Sequence, residues 1–157
     1  LRFFTVYGPL GRPDMAYFSF TDKYFKNEEI KIFNNGDFEN DMYRDFTYID
    51  DIVEGVIKVL INPPYDIKPL HRVLNIGNSN PEKLMYFINT LENCLSNSLN
   101  EKTVFIKSYE PIKPGDVHKT YASTQALESL VGFKPKTSIK DGLQRFTDWY
   151  VNFYKKL

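Results

Sequence analysis

The sequence predicts an α/β fold built around parallel strands, and three observations carry that reading. Short apolar runs of strand length alternate with stretches of helical periodicity. Gly and Pro punctuate the joins. The opening run Leu-Arg-Phe-Phe-Thr-Val-Tyr is nearly all apolar and is stopped at once by Gly8-Pro9, as in a strand covered on both faces of a parallel sheet. Such a strand needs parallel neighbours, and those need long crossover connections. The chain is therefore expected to be the second half of something larger.

Each later element has its own signal. After a Gly/Pro loop over 8–13, Asp14 is placed to cap a helix through about residue 27. Residues 30–33 predict a short strand and Asn34-Asn35-Gly36-Asp37 a turn. Residues 42–48 predict a second strand. Asp50 or Asp51 then caps a helix to about residue 61, with Ile52, Val53, Val56, Ile57, Leu60 and Ile61 on one side. A Pro-rich loop covers 62–69, and residues 72–76 form another buried-type strand closed by Gly77. Pro81 stands in the first turn of a helix reaching Leu95. Residues 103–106 predict a strand, and 109–120 a polar loop containing Pro111, Pro114 and Gly115. Ser123 or Thr124 caps a short helix that Gly132 ends. A last helix over 138–154 turns Leu143, Phe146, Trp149, Tyr150 and Phe153 inward.

A length of 157 residues makes one domain, or a domain's worth of a split one. Lys plus Arg equals Asp plus Glu at 20 each, so no basic face for nucleic acid is expected. The 13 Phe and 11 Tyr argue for a packed globule rather than disorder. The single cysteine, Cys94, excludes an internal disulfide and suits a reducing compartment, so a cytoplasmic location is expected. Its apolar-periodic setting reads as a core thiol. No apolar run approaches the ~20 residues of a spanning helix, so no membrane association is expected. His71 and His118 lie far apart with no ligand-spaced partners, which predicts no metal site.

The densest polar cluster is Arg44-Asp45-Phe46-Thr47-Tyr48-Ile49-Asp50-Asp51. An arginine at a strand end suits a pyrophosphate, because its planar fork donates two parallel hydrogen bonds. The same residues also read as a surface strand pairing Arg44 with Asp45. Asp50 and Asp51, adjacent at a helix start, point to capping rather than to a catalytic pair. Thr5, Tyr7, Arg12 and Asp14 gather about the loop after the first strand, where ligands bind in open α/β sheets. A purely structural loop with a solvated Arg12 is the alternative.

Two patterns mislead. Gly8-Pro9-Leu10-Gly11 begins like a dinucleotide fingerprint, but Asp14 stands at the third glycine position, after Pro13. Tyr109 and Lys113 have the spacing of a reductase Tyr-x-x-x-Lys pair, but Pro111 and Pro114 break the helix that such a pair needs. No Gly-x-Ser-x-Gly elbow or Walker glycine loop occurs.

Taken in order, Arg2-Phe3-Phe4-Thr5-Val6-Tyr7-Gly8-Pro9, Gly11-Arg12-Pro13-Asp14-Met15, Arg44 to Asp51, Asn75-Ile76-Gly77-Asn78 and Pro114-Gly115-Asp116-Val117 resemble one family. It is the C-terminal half of extended short-chain dehydrogenase/reductase nucleotide-sugar epimerases, nearest the UDP-glucuronate 4-epimerase group. The resemblance implies late strands of a Rossmann sheet plus a small α/β substrate-binding domain. It implies NAD in the complete enzyme, held by an N-terminal Rossmann half, with none expected to bind this chain alone, and hydride transfer at sugar carbon 4. By the same resemblance Thr5 lies beside the substrate and Arg12 meets the sugar carboxylate. Lys31, Ile32 and Phe33 border the uracil through backbone groups, Arg44 clamps the pyrophosphate, and Asp116 accepts from ribose hydroxyls. Val6 and Tyr7 lie near the nicotinamide.

The chain also departs from that family. The glycine fingerprint and the catalytic tyrosine and lysine have no matching positions. Leu10 stands where the family often has Trp, and Lys113 where relatives place Gln or Arg. Residues 38–41 look like an insertion, which adds Glu39 and Asp41 near Arg44 and is expected to weaken anion binding. The leading expectation is a UDP-sugar-binding half that is inactive without a Rossmann half, in cis or in trans. A non-catalytic remnant or nucleotide-sugar-binding module is one alternative, and part of a related dehydratase or decarboxylase is another. An exposed first strand predicts a homodimer, strand exchange or rearrangement of that segment.

Overall fold

The computed structural model describes residues 1–65 and 68–156, so residues 66 and 67 of the Pro-rich loop fall outside the described residues. The fold is mixed α/β. The first run divides into β1 (Arg2–Phe3) and β2 (Thr5–Tyr7), which take different parallel partners. β1 pairs with β6 (Asn75–Ile76) and β2 with β5 (Phe46–Tyr48), in the register Thr5 to Phe46 and Tyr7 to Tyr48. A third parallel pair joins β3 (Ile30–Ile32) to β8 (Lys107–Tyr109), and β4 (Tyr43–Arg44) runs antiparallel to β7 (Glu82–Lys83).

Two apolar clusters form the interior. The larger gathers Tyr7, Phe18, Phe46, Phe87, Leu91 and Phe146, and the smaller holds Ile52, Leu74, Ile76, Leu127 and Phe133 with Val6 packed against it. Val6 and Tyr7 thus serve opposite faces, as alternation along a strand requires. Two-sided cover holds for β2 but fails at β1, where Phe3 is 54% exposed.

Among the described residues five α-helices and a short 3-10 turn (Tyr154–Lys156) complete the fold: α1 (Ala16–Phe25), α2 (Ile49–Leu60), α3 (Leu84–Leu99), α4 (Gln125–Val131) and α5 (Ile139–Asn152). Local signals read well at the chain's end. Ser138 caps α5 by accepting from the Asp141 N–H at 3.1 Å, and Gly132, at φ 61°, ends α4 in the left-handed conformation. Phe153, expected on the inner face, is exposed.

Elsewhere long-range partners moved the boundaries. Asp14 does not cap α1; Met15 occupies that position while Asp14 bonds Arg12. Pro81 lies outside α3, whose start is fixed by the β4–β7 pairing: the Leu84 N–H donates to the Met42 carbonyl at 2.8 Å. The strand expected at 103–106 forms instead at Lys107–Tyr109. Helix α3 takes its amides first, Ser96 Oγ accepting from Thr103 N and Glu92 Oε1 from Phe105 N.

Helix α2 departs furthest from its periodicity. Its buried face is Asp51, Ile52 and Gly55, while Val53, Ile57, Leu60 and Ile61 are exposed. Gly55 explains the choice, since a side chain there would strike Ile76 and Phe133. Asp51 does not cap the helix but accepts from the Lys136 and Thr137 amides at 3.2 and 2.9 Å, tying down the approach to α5. Among the described residues no helix is long and apolar enough to cross a membrane.

Candidate functional site

A cleft of about 340 Å³ opens where β2, β3, β4 and the loop after β8 converge. Thr5, Lys31, Phe33, Arg44 and Asp116 all line it, together with Asp14. Phe20, Met42, Phe46 and Leu84 supply an apolar floor. Ile32 does not reach the cleft: its side chain is buried in the larger core cluster, and its carbonyl accepts from the Glu110 N–H at 2.8 Å. That placement is the inward half of a strand whose outward residues are Lys31 and, beyond it, Phe33.

Arg44 is the electrostatic centre. Its Nη1 donates to the Tyr43 carbonyl at 2.8 Å and the His118 carbonyl at 3.4 Å. Among the described residues no carboxylate lies within ion-pair distance of it. Desolvation lowers its pKa, and the more distant Asp116 opposes that shift. A half-buried cation with only neutral acceptors in contact is a standing attraction for an anion.

The expected alternative, Arg44 paired with Asp45, is excluded by where Asp45 points. Its carboxylate is buried and accepts from the amides of Asn78 (2.8 Å), Ser79 (3.1 Å) and Ala122 (2.8 Å). Burial holds the carboxyl above its ordinary range, with those three donors pulling against it. Gly77 makes the reach possible, because a Cβ there would overlap Ala122 and crowd Asp45. The Asp45 carbonyl also accepts from the Thr5 amide, so one residue ties both cleft strands to two distant loops.

Asp41 is likewise engaged away from the cleft. It is fully buried, its Oδ2 accepting from the Met85 amide at 2.7 Å and its Oδ1 from Asn34 Nδ2 and the Met42 amide. It caps the start of α3 from outside the helix, the favourable place for a negative charge. The Asp41 carboxylate is thus taken up by these donors rather than standing free beside Arg44, whereas Glu39 is exposed.

Arg12 lines a neighbouring cleft of about 410 Å³, with Val6, Tyr7, Gly8, Pro9 and Met15. Its guanidinium meets both Asp14 oxygens, Nε to Oδ1 at 3.0 Å and Nη2 to Oδ2 at 2.5 Å, and both side chains are largely exposed. The pair holds the Asp14 carboxyl below its usual range. Because Asp14 lines the first cleft and Arg12 the second, their contact marks where the two meet.

The second cleft offers an apolar wall suited to the flat ring of a dinucleotide. It does not fit the phosphates. Side chains at Gly8 or Gly11 would collide with Ile49 or Tyr17, so these glycines serve close packing rather than a phosphate cradle. Tyr7 is only 1% exposed, and its hydroxyl donates to the Ser138 carbonyl at 3.2 Å, which engages the ring in the core. The described residues therefore fit one end of such a cofactor and not the whole.

The fold is that of part of an extended short-chain dehydrogenase/reductase. Residues 1–77 match the NAD dependent epimerase/dehydratase family. The chain is 41% identical to Protein CapI of Staphylococcus aureus, over 99% of this chain and 48% of that protein. It is 40% identical to a probable UDP-glucuronate 4-epimerase of Rhizobium meliloti, over 99% of this chain and 47% of that one. The crystal structure of UDP-glucuronic acid 4-epimerase from Bacillus cereus, in complex with UDP-glucuronic acid and NAD, superposes with TM-score 0.77 at 30% identity. That match covers 98% of this chain and 45% of the other. The chain thus spans about half the length of the curated relatives it matches.

Sequence reasoning missed Asp45 as the hub, Asp41 as the outside cap and His118 as the acceptor for Arg44. Only the Asn75-Ile76-Gly77-Asn78 motif hinted at the first, through a glycine where a carboxylate must come close.

Proposed function

We propose that this chain is the substrate-binding half of a UDP-glucuronate 4-epimerase-like enzyme. A dinucleotide-binding half, in cis or in trans, supplies the rest of the cofactor site and the acid–base residues. The observation that carries the reading is Arg44, a half-buried guanidinium with no carboxylate in ion-pair contact among the described residues, facing a cleft shared with Thr5, Lys31, Phe33 and Asp116. In this reading Arg44 takes the pyrophosphate, Asp116 accepts from the ribose hydroxyls, and the Lys31 to Phe33 segment borders the uracil. Thr5 stands beside the sugar. Arg12 meets the sugar carboxylate once that carboxylate displaces Asp14.

The physical role of such a half is retention. A nucleotide held at the phosphates lets the sugar turn over while it stays bound, so that the two hydride transfers remain intramolecular. Calorimetry with UDP and with UDP-glucuronate tests the reading. Saturable heat is expected from both, with UDP binding weakened about tenfold or more in Arg44→Met, since charge-assisted bonds are worth roughly 1.5–3 kcal/mol. No heat at millimolar ligand, or no effect of the substitution, rejects it. Adding NAD and the separately expressed N-terminal half of the Rhizobium meliloti relative should then give interconversion of UDP-glucuronate and UDP-galacturonate. Binding without turnover in that mixture marks the chain as a nucleotide-sugar-binding module instead.

A further inference from the structure

Residues 38–41, read from the sequence as an insertion, fold together with Asp37 into a tight hairpin. Asp37 Oδ1 accepts from the Glu39 and Asn40 amides at 3.0 and 2.9 Å, and its Oδ2 from Asn40 Nδ2 at 3.0 Å. The buried Asp41 roots the hairpin on α3 through the Met85 amide. The hairpin's tip reaches across to the loop between β8 and α4. The Phe38 ring meets the ring of Tyr109, the last residue of β8, edge-on with centroids 5.3 Å apart, and the Asn40 carbonyl lies 3.1 Å from His118 Nε2 in the loop.

Those two contacts bracket residues 110–117, the stretch that carries Lys113 and Asp116. Beyond Glu110, which exchanges backbone hydrogen bonds with Ile32 and Asn35, the loop is exposed and thinly held. The Ile112 amide donates to Asn35 Oδ1 at 3.2 Å, the Asp116 amide to the Lys113 carbonyl at 3.1 Å, and the Lys113 ammonium rests 4.1 Å over the Phe33 ring. His118 then closes a second link. Its carbonyl accepts from the Tyr43 amide at 2.8 Å and from Arg44 Nη1 at 3.4 Å. One residue therefore joins the hairpin tip, the end of the loop and the arginine of the cleft.

We infer that the 37–41 hairpin is a brace that sets Asp116 and Arg44 at the spacing of a nucleoside diphosphate, with Phe38 and His118 as its positioning residues. This rests on the nucleotide-sugar reading of the cleft. Phe38 is half exposed, so its ring buries too little surface to be a major support of the fold. What it supplies is restraint. A loop already ordered before binding loses less freedom when the ligand arrives.

Hydrogen exchange of the free chain, followed by UDP titration, tests the brace. Phe38→Ala and His118→Ala should speed exchange of the hydrogen-bonded Ile112 and Asp116 amides by about tenfold, with α3 and α5 unchanged as the control for folding. UDP binding should weaken roughly three- to tenfold. His118→Gln keeps an N–H donor near the Nε2 position and should restore both properties, which a merely space-filling histidine would not predict. Unchanged loop exchange in both alanine variants overturns the brace. A loosened loop with undiminished UDP affinity overturns the positioning role. Absence of UDP heat in the wild-type chain rejects the nucleotide reading instead, and the exchange data then decide the brace alone.

Discussion

Arg44 sits half-buried at the end of β4 with carbonyl oxygens as its hydrogen-bond partners, whereas Arg12, on the exposed loop after β2, is closed by Asp14 in a two-point pair. Both are expected to meet an anion. They differ in what the anion must displace. At Arg44 nothing negative has to leave, and the guanidinium has already lost part of its hydration. At Arg12 an incoming carboxylate exchanges for an internal one, in water, for little net gain. Affinity is therefore expected to come from the Arg44 end of the cleft and selectivity from the Arg12 end.

The contrast breaks most completely at Asp45, because that residue keeps its charge away from Arg44. Asp45→Ala strips an acceptor from three amides and should destabilise the fold by about 3 kcal/mol or more in urea titration, each orphaned buried donor costing roughly 1–3 kcal/mol. Asp45→Asn, keeping one acceptor oxygen, should fall between the variant and the wild type. A loss under 1 kcal/mol in Asp45→Ala denies its role as hub.

Next in size is the comparison of ligands across the two arginines. Arg44→Met should weaken UDP and UDP-glucuronate alike by about ten- to a hundredfold, whereas Arg12→Met should leave UDP unchanged and affect only the uronate. Equal effects on both ligands from both variants collapse the distinction. Asp14→Asn sharpens it from the other side. Freeing Arg12 should tighten UDP-glucuronate up to about fivefold at low salt and fade as salt rises, with UDP unaffected.

The smallest expected change serves as the control. Burial pushes the Cys94 thiol up to about 11, so iodoacetamide at pH 8 should leave it unlabelled in the wild type and in every arginine variant. Its ordinary pKa is near 9, so the folded state holds the proton longer than the unfolded chain. The stability from this thiol is whole below pH 9 and is lost as pH rises towards 11. Labelling of a native variant at pH 8 shows that the core has opened and voids the comparison.

The sequence was most legible where signals were local. Ser138 and Gly132 marked α5 and α4 because a cap is set by its near neighbours. Pro81 misled because the start of α3 is fixed by β4, β7 and Asp41, none of which shows in a window around the proline. The apolar stripe of α2 named the wrong buried face for a similar reason: a glycine, not the stripe, admits Ile76 and Phe133. In the cleft, Thr5, Lys31, Phe33, Arg44 and Asp116 were reachable through family resemblance, since they come from separate segments. Whether Arg44 pairs with Asp45 could not be read from adjacency. The partners that draw Asp45 aside lie at Asn78, Ser79 and Ala122.

Residues 2–7 change partners midway, β1 lying on β6 and β2 on β5. During translation neither partner exists when those residues leave the ribosome. At roughly 5–20 residues per second, several seconds pass before Asn75 and Ile76 are made. Through that interval the backbone of residues 2–7 lacks the strand partners it has in the finished fold. Yield in cells should therefore depend on what shelters this short run during synthesis, and co-expressing a holdase chaperone should raise it more than stabilising the finished protein does.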